Sequence, residues 1–130
     1  MDCDAEIREY PTLFDDIPTD FDLAAHILDR SAWYGSSDMG TELLSGTLFV
    51  RNTPNVRNLL DVWIKRCETS TTWEQRILQS LISEFKIKIY ELPIEYCYIK
   101  SLPDGSPPKV KCEKPVIVHN QVSRQYRTKV

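Results

Sequence analysis

The stretch LLSGTLFVRNTPNVRNLLDVWIKRCE, residues 43–68, decides how this chain is read. Its first ten residues place β-branched and aromatic side chains after a glycine, a strand signal. The composition then switches. Thr53 is placed to cap a helix and Pro54 to stand at its first position. Val56, Leu59, Leu60, Trp63, Ile64 and Cys67 follow at spacings of three and four, an apolar stripe on one helical face. Lys65 and Arg66 suit the negative end of that helix. A strand running into an amphipathic helix argues for layers of sheet and helix. Gly46, inside the strand, implies a bulge or a close approach by a ligand or another backbone.

Working outward, STTWEQRILQSLISEF (70–85) predicts a second helix capped by Thr71 or Thr72. Its stripe is Trp73, Ile77, Leu78, Leu81, Ile82 and Phe85. KIKIYEL (86–92) alternates at period two and reads as a strand that Pro93 ends. IEYCYI (94–99) and PVIVH (115–119) read as further strands, with an exposed turn over 102–109 between them. Toward the front, FDLAAHIL (21–28) fits a buried strand and DRSAWYGSSDMG (29–40) a loop. Residues 10–20 hold two prolines and a carboxylate cluster and read as a surface connection. Residues 1–7 fit the tail of a strand, in which Asp2 and Asp4, two apart, face the same side. Residues 120–130 form a polar, basic tail with partial helical character. The expected class is α/β, a mixed sheet with two consecutive helices, in one domain over 1–130.

Composition narrows the function. The chain has 130 residues, 42% of them hydrophobic, enough for a core. Net charge is −3 and pI about 5.4, so no overall basic surplus draws it to nucleic acid or to an anionic membrane. Cys3, Cys67, Cys97 and Cys112 form neither a Cys-x-x-Cys pair nor a zinc-ribbon spacing. With no signal-peptide pattern and no apolar run of spanning length, a cytoplasmic chain with reduced thiols and no transmembrane segment is expected.

Several residues carry possible chemistry. Asp2 and Asp4 offer hard oxygen ligands of the kind Mg²⁺ and Mn²⁺ take alongside substrate phosphates. Taken alone they read more readily as a solvated acidic segment, since acidic-x-acidic triplets are common. His119 ends an apolar strand, where it can complete a metal site or serve as a hydrogen-bonded structural histidine. Arg124 and Arg127 can hold an anion or form a solvated basic face. Ser45 and Gly46 let the backbone meet a ligand. Glu74 and Gln75 stand near a helix start, as dipole complements, sugar-hydroxyl partners or a base. His26, within an apolar strand, is expected to be structural.

In this order DCD, LLSGTLFVRNTPNVRNLLDVWI, WEQRILQSLI, ELPIEYCYI and PVIVHNQ resemble the second half of a GT-A-type nucleotide-diphospho-sugar glycosyltransferase, over nearly the whole chain. The resemblance implies a metal-dependent enzyme moving a sugar from a nucleotide-diphosphate donor to an acceptor hydroxyl. Asp2, Asp4 and His119 would hold Mn²⁺ or Mg²⁺. Ser45, Gly46, Gln75 and Arg124 would meet substrate, and Glu74 would orient or deprotonate the acceptor. Glu74 stands where an aspartate is more familiar, and Asn120-Gln121 where some branches carry Gly and Lys. The family's Rossmann-like half, on the order of 100 residues ahead of the metal motif, has no counterpart in this sequence. A fragment of a longer reading frame or a reduced relative is therefore expected. A reduced relative would expose a sheet edge that a second copy can cover. The alternative is a non-catalytic binding or assembly module that keeps the half-fold.

Overall fold

The computed structural model describes residues 1–35 and 40–122. Its strands divide between two three-stranded sheets, each with one antiparallel and one parallel pair, so the mixed α/β class holds. The first sheet centres on β2 (Leu23–Asp29), flanked by β3 (Thr41–Val50) and β4 (Ile89–Glu91). The second centres on β6 (Ile117–His119), flanked by β1 (Ala5–Ile7) and β5 (Tyr98–Ile99).

β2 is buried on both faces, as its apolar run predicts. Leu23 and Ala25 pack with Leu59, Leu78 and Leu81 of the long helices, α3 (Pro54–Thr69) and α4 (Glu74–Glu84). Ala24, pointing the other way, packs with Ile117, Leu92 and Tyr96. The second sheet therefore packs against the first, with Ile117 of β6 against Ala24 and Ile99 of β5 in one cluster with Leu28 and Leu44.

α3 begins as read. The Thr53 hydroxyl accepts the Val56 N–H at 3.3 Å and Pro54 opens the helix. α4 does not. Ser70 takes the Thr72 N–H at 3.0 Å in a local turn, which consumes the segment expected to cap the helix. Trp73 stands at the N-cap with no side-chain bond, and neither Thr71 nor Thr72 caps.

The other corrections are local. Arg30–Tyr34, read as loop, is a short helix, α2, because the Asp29 carboxylate caps the N–H groups of Ser31 and Ala32. Residues 36–39 of that expected loop lie outside the described residues. Leu13–Asp16, read as connection, forms one helical turn, α1. The strand expected over 86–92 starts at Ile89. Ile94–Tyr96 is a 3₁₀ turn held by the Tyr96 and Cys97 N–H groups to Pro93 and Ile94, which leaves two strand residues of the expected six. His26 is structural as expected, its Nδ1 donating to the Leu92 carbonyl at 2.8 Å. No helix among the described residues is long and apolar enough to cross a membrane.

Candidate functional site

Two irregularities build the site. The first is in β3. Between Ala25 and Ile27 the partner strand advances from Leu48 to Leu43, five positions against two, so β3 holds three extra residues there. This bulge displaces Leu44–Thr47 from the ladder and brings Gly46 and Thr47 against Asp2 and His119, while Ser45 meets α4.

The second is at Asp2–Ala5. The sequence predicts an extended segment, but the structure has a turn closed by the Ala5 N–H to the Asp2 carbonyl at 3.2 Å. The two aspartates converge because of this turn, not because of strand alternation. Ala5 pairs with His119 across β1 and β6, so the turn lies beside the end of β6. It is tied down on both sides. Asp2 N–H donates to the Gly46 carbonyl at 2.8 Å, Asn120 Nδ2 donates to the Asp4 carbonyl at 3.0 Å, and Val122 N–H donates to Asp4 Oδ2 at 3.0 Å.

These contacts gather Asp2, Asp4 and His119. One ligand atom from each lies within 4.8 Å of the others. His119 Nδ1 is 3.7 Å from Asp2 Oδ2, and its Nε2 is 2.7 Å from Thr47 Oγ1. A ring proton on Nε2, donated to Thr47, leaves the Nδ1 lone pair toward Asp2. His119 is buried, and burial pushes its imidazole below the ordinary value against the pull of Asp2 and Asp4. The neutral ring that metal ligation needs is thus the favoured form at neutral pH.

Gly46 makes this packing possible. A Cβ there would lie 2.9 Å from Asp2 Oδ2 and 2.9 Å from His119 Cε1. The close approach its sequence position implies is made by the protein's own candidate ligands. Two carboxylates and a neutral imidazole, oriented by a hydroxyl behind it, suit a borderline-hard divalent cation such as Mn²⁺.

Asp2 and His119 open onto a cavity of about 780 Å³. Ser45, Gly46, Glu74 and Gln75 also line it, so seven of the eight sequence-selected residues meet at or beside one space. The eighth, Arg124, lies outside the described residues. Glu74 is exposed there, and its backbone carbonyl accepts the Trp63 indole N–H at 2.9 Å. Gln75 is buried and largely committed within the protein. Its Oε1 accepts the Ser45 N–H at 3.0 Å and its Nε2 donates to Glu42, so it pins the bulge to α4.

Sequence reading passed over Thr47, Arg30, Glu42 and Cys97. Thr47 is 2% exposed and fixes His119. Arg30 and Glu42 line the cavity and form an ion pair at 3.9 Å. Arg30 fell in the segment read as loop, and Glu42 just ahead of the strand signal. Cys97 also lines the cavity, its thiol pushed up to about 12 by burial.

No curated protein and no solved structure matches the chain significantly. A family model, that of the nucleotide-diphospho-sugar transferases, matches residues 1–130. The match runs through the Asp2/Asp4 turn, the β3 bulge, the start of α4 and His119, and the chain belongs to the nucleotide-diphospho-sugar transferase family.

Proposed function

We propose that this chain carries the cation and diphosphate site of a GT-A-type, metal-dependent glycosyltransferase. The donor is a nucleotide-diphospho-sugar and the acceptor a hydroxyl. One observation carries the reading. In a chain of this family, ligand atoms of Asp2, Asp4 and His119 lie within 4.8 Å of one another, at the edge of a cavity large enough for a sugar and a diphosphate.

Asp2, Asp4 and His119 would hold the cation, Mn²⁺ or Mg²⁺, which would supply electrostatic stabilisation of the charge that develops on the leaving diphosphate. Thr47 holds the ring of His119 in place through Nε2. Gly46 keeps the space between Asp2 and His119 free of a side chain. Ser45, held by Gln75, sets the backbone that faces the donor. Glu74, an exposed carboxylate on the cavity wall, takes the acceptor's proton as its oxygen bonds to the anomeric carbon and the bond to the diphosphate breaks. Arg124 is proposed as an added anion contact.

Release of nucleoside diphosphate from a panel of nucleotide sugars, measured with hydroxyl acceptors and Mn²⁺, tests this. Activity lost with chelator, and lost in Asp2→Asn and Asp4→Asn, is expected. Transfer indifferent to chelator and to both substitutions would contradict it.

A further inference from the structure

Arg30 and Glu42 line the same cavity and stand outside the Asp2, Asp4 and His119 cluster. Arg30 has five N–H groups, and none makes a hydrogen bond to a described residue. Its Nε is fully shielded from solvent, yet Glu42 Oε2, its ion-pair partner among the described residues, is 3.9 Å away, too far for a hydrogen bond. The rest of the guanidinium is half open, the side chain being 39% exposed. The open Nη groups, on the cavity wall and with no hydrogen bond to a described residue, are the donors a ligand oxygen can reach.

Glu42 is the opposite half. Its Oε1 takes the Gln75 amide, and Gln75 is itself anchored on Ser45, so the carboxylate is held from behind while Oε2 faces Arg30. A fixed acceptor thus stands next to a free donor, linked through Gln75 and Ser45 to Gly46 and the cation cluster. A hydroxyl group both gives and accepts a hydrogen bond, and two neighbouring ring hydroxyls match this donor–acceptor edge. A carboxylate on the sugar would gain Arg30 but face Glu42, a like charge held in place.

We infer that Arg30 and Glu42 read adjacent hydroxyls of the donor sugar and select neutral sugars over uronic acids. This deepens the reading under Proposed function and rests on it. Arg30 and Glu42 are specificity residues, outside the cation site and the proton transfer.

The test is calorimetry on the full chain with Mn²⁺. The probes are UDP-glucose, UDP-galactose, UDP-xylose, GDP-mannose and UDP-glucuronate, with UDP and GDP as sugar-free references. At least one neutral sugar nucleotide is expected to bind about tenfold tighter than its reference, the factor carried by one hydrogen bond to a charged group. UDP-glucuronate is expected to bind no tighter than UDP. Arg30→Ala removes the neutral-sugar increment and leaves UDP and GDP binding unchanged. Glu42→Gln keeps the Gln75 contact, lowers the neutral increment and raises UDP-glucuronate affinity. Retention of the full increment in both variants, or a wild-type preference for UDP-glucuronate, overturns the inference while leaving the family site intact. Failure of both UDP and GDP to bind with Mn²⁺ overturns the underlying reading and this one together.

Discussion

Gly46→Ala puts the site's architecture under direct strain. The new methyl would lie 2.9 Å from Asp2 Oδ2, 2.9 Å from His119 Cε1 and 3.1 Å from His119 Nδ1. Ordinary contact begins near 3.4 Å, so the neighbours must give by about 0.5 Å. The Asp2 side chain, 54% exposed, can swing away at little cost to folding. His119 cannot, because it is 1% exposed and its far nitrogen is held by Thr47 at 2.7 Å. The overpacking should cost about 1–3 kcal/mol of stability. Either route of relief separates Asp2 from His119, and a misplaced ligand typically lowers metal affinity about 10–100-fold. Urea unfolding and Mn²⁺ calorimetry on the same preparation measure both effects. Gly40→Ala is the control. A Cβ at Gly40 meets no atom of the described residues within 4 Å, but its φ of +74° makes the substitution strained, at about 1–2 kcal/mol. Gly40→Ala should lose stability and keep Mn²⁺ affinity, whereas Gly46→Ala should lose both. Wild-type Mn²⁺ affinity in Gly46→Ala, or equal losses in the two variants, would refute the reasoning.

Two further predictions concern titration and reactivity. The folded His119 titrates below its ordinary 6.5, so on acidification the unfolded chain takes up the proton first. Stability from this group is complete above pH 6.5 and falls as pH drops below it; urea midpoints at about pH 7.5 and about pH 5.5 should show the loss, and His119→Asn should flatten it. Iodoacetamide at about pH 8 should label exposed Cys3 well before Cys97, which is buried with its thiol pushed up to about 12. Peptide mass spectrometry gives the order, and faster labelling of Cys97 would contradict it.

The parts of the fold written in local chemistry were legible. Thr53-Pro54 and the stripe from Val56 to Cys67 specify α3 almost to the residue, since cap and periodicity agree. The apolar run at β2 announced burial on both faces. Local signals misled where a short side chain had two uses. Asp29, in a run rich in Ser, Gly and Asp, looked like loop and is a helix cap. Ser70 looked like the approach to a capped helix and instead makes its own turn. The expected strand at Ile94 yielded to a 3₁₀ turn after Pro93.

For the site, residue types were visible while their meeting was not. Asp2-x-Asp4 and His119 are 115 positions or more apart, and nothing local says that β1 and β6 pair. The family resemblance supplied the grouping, and the register of Ala5 with His119 supplies its physical basis. Gly46 was legible as a site of close approach, though its visitors are Asp2 and His119. Thr47, Arg30 and Glu42 carry no motif. Thr47 owes its place to the three-residue bulge, and Arg30 and Glu42 meet because α2 follows β2 beside its partner strand β3.

The most direct test of the central claim is a Mn²⁺ titration followed by the electron paramagnetic resonance signal of the free ion. It is run with UDP on the wild-type chain and on the Asp2→Asn/Asp4→Asn/His119→Ala variant. Loss of free-ion signal at one equivalent per chain in the wild type, and its return to the protein-free level in the triple variant, is predicted. Equal uptake of Mn²⁺ by both proteins would place the ion elsewhere and contradict the account.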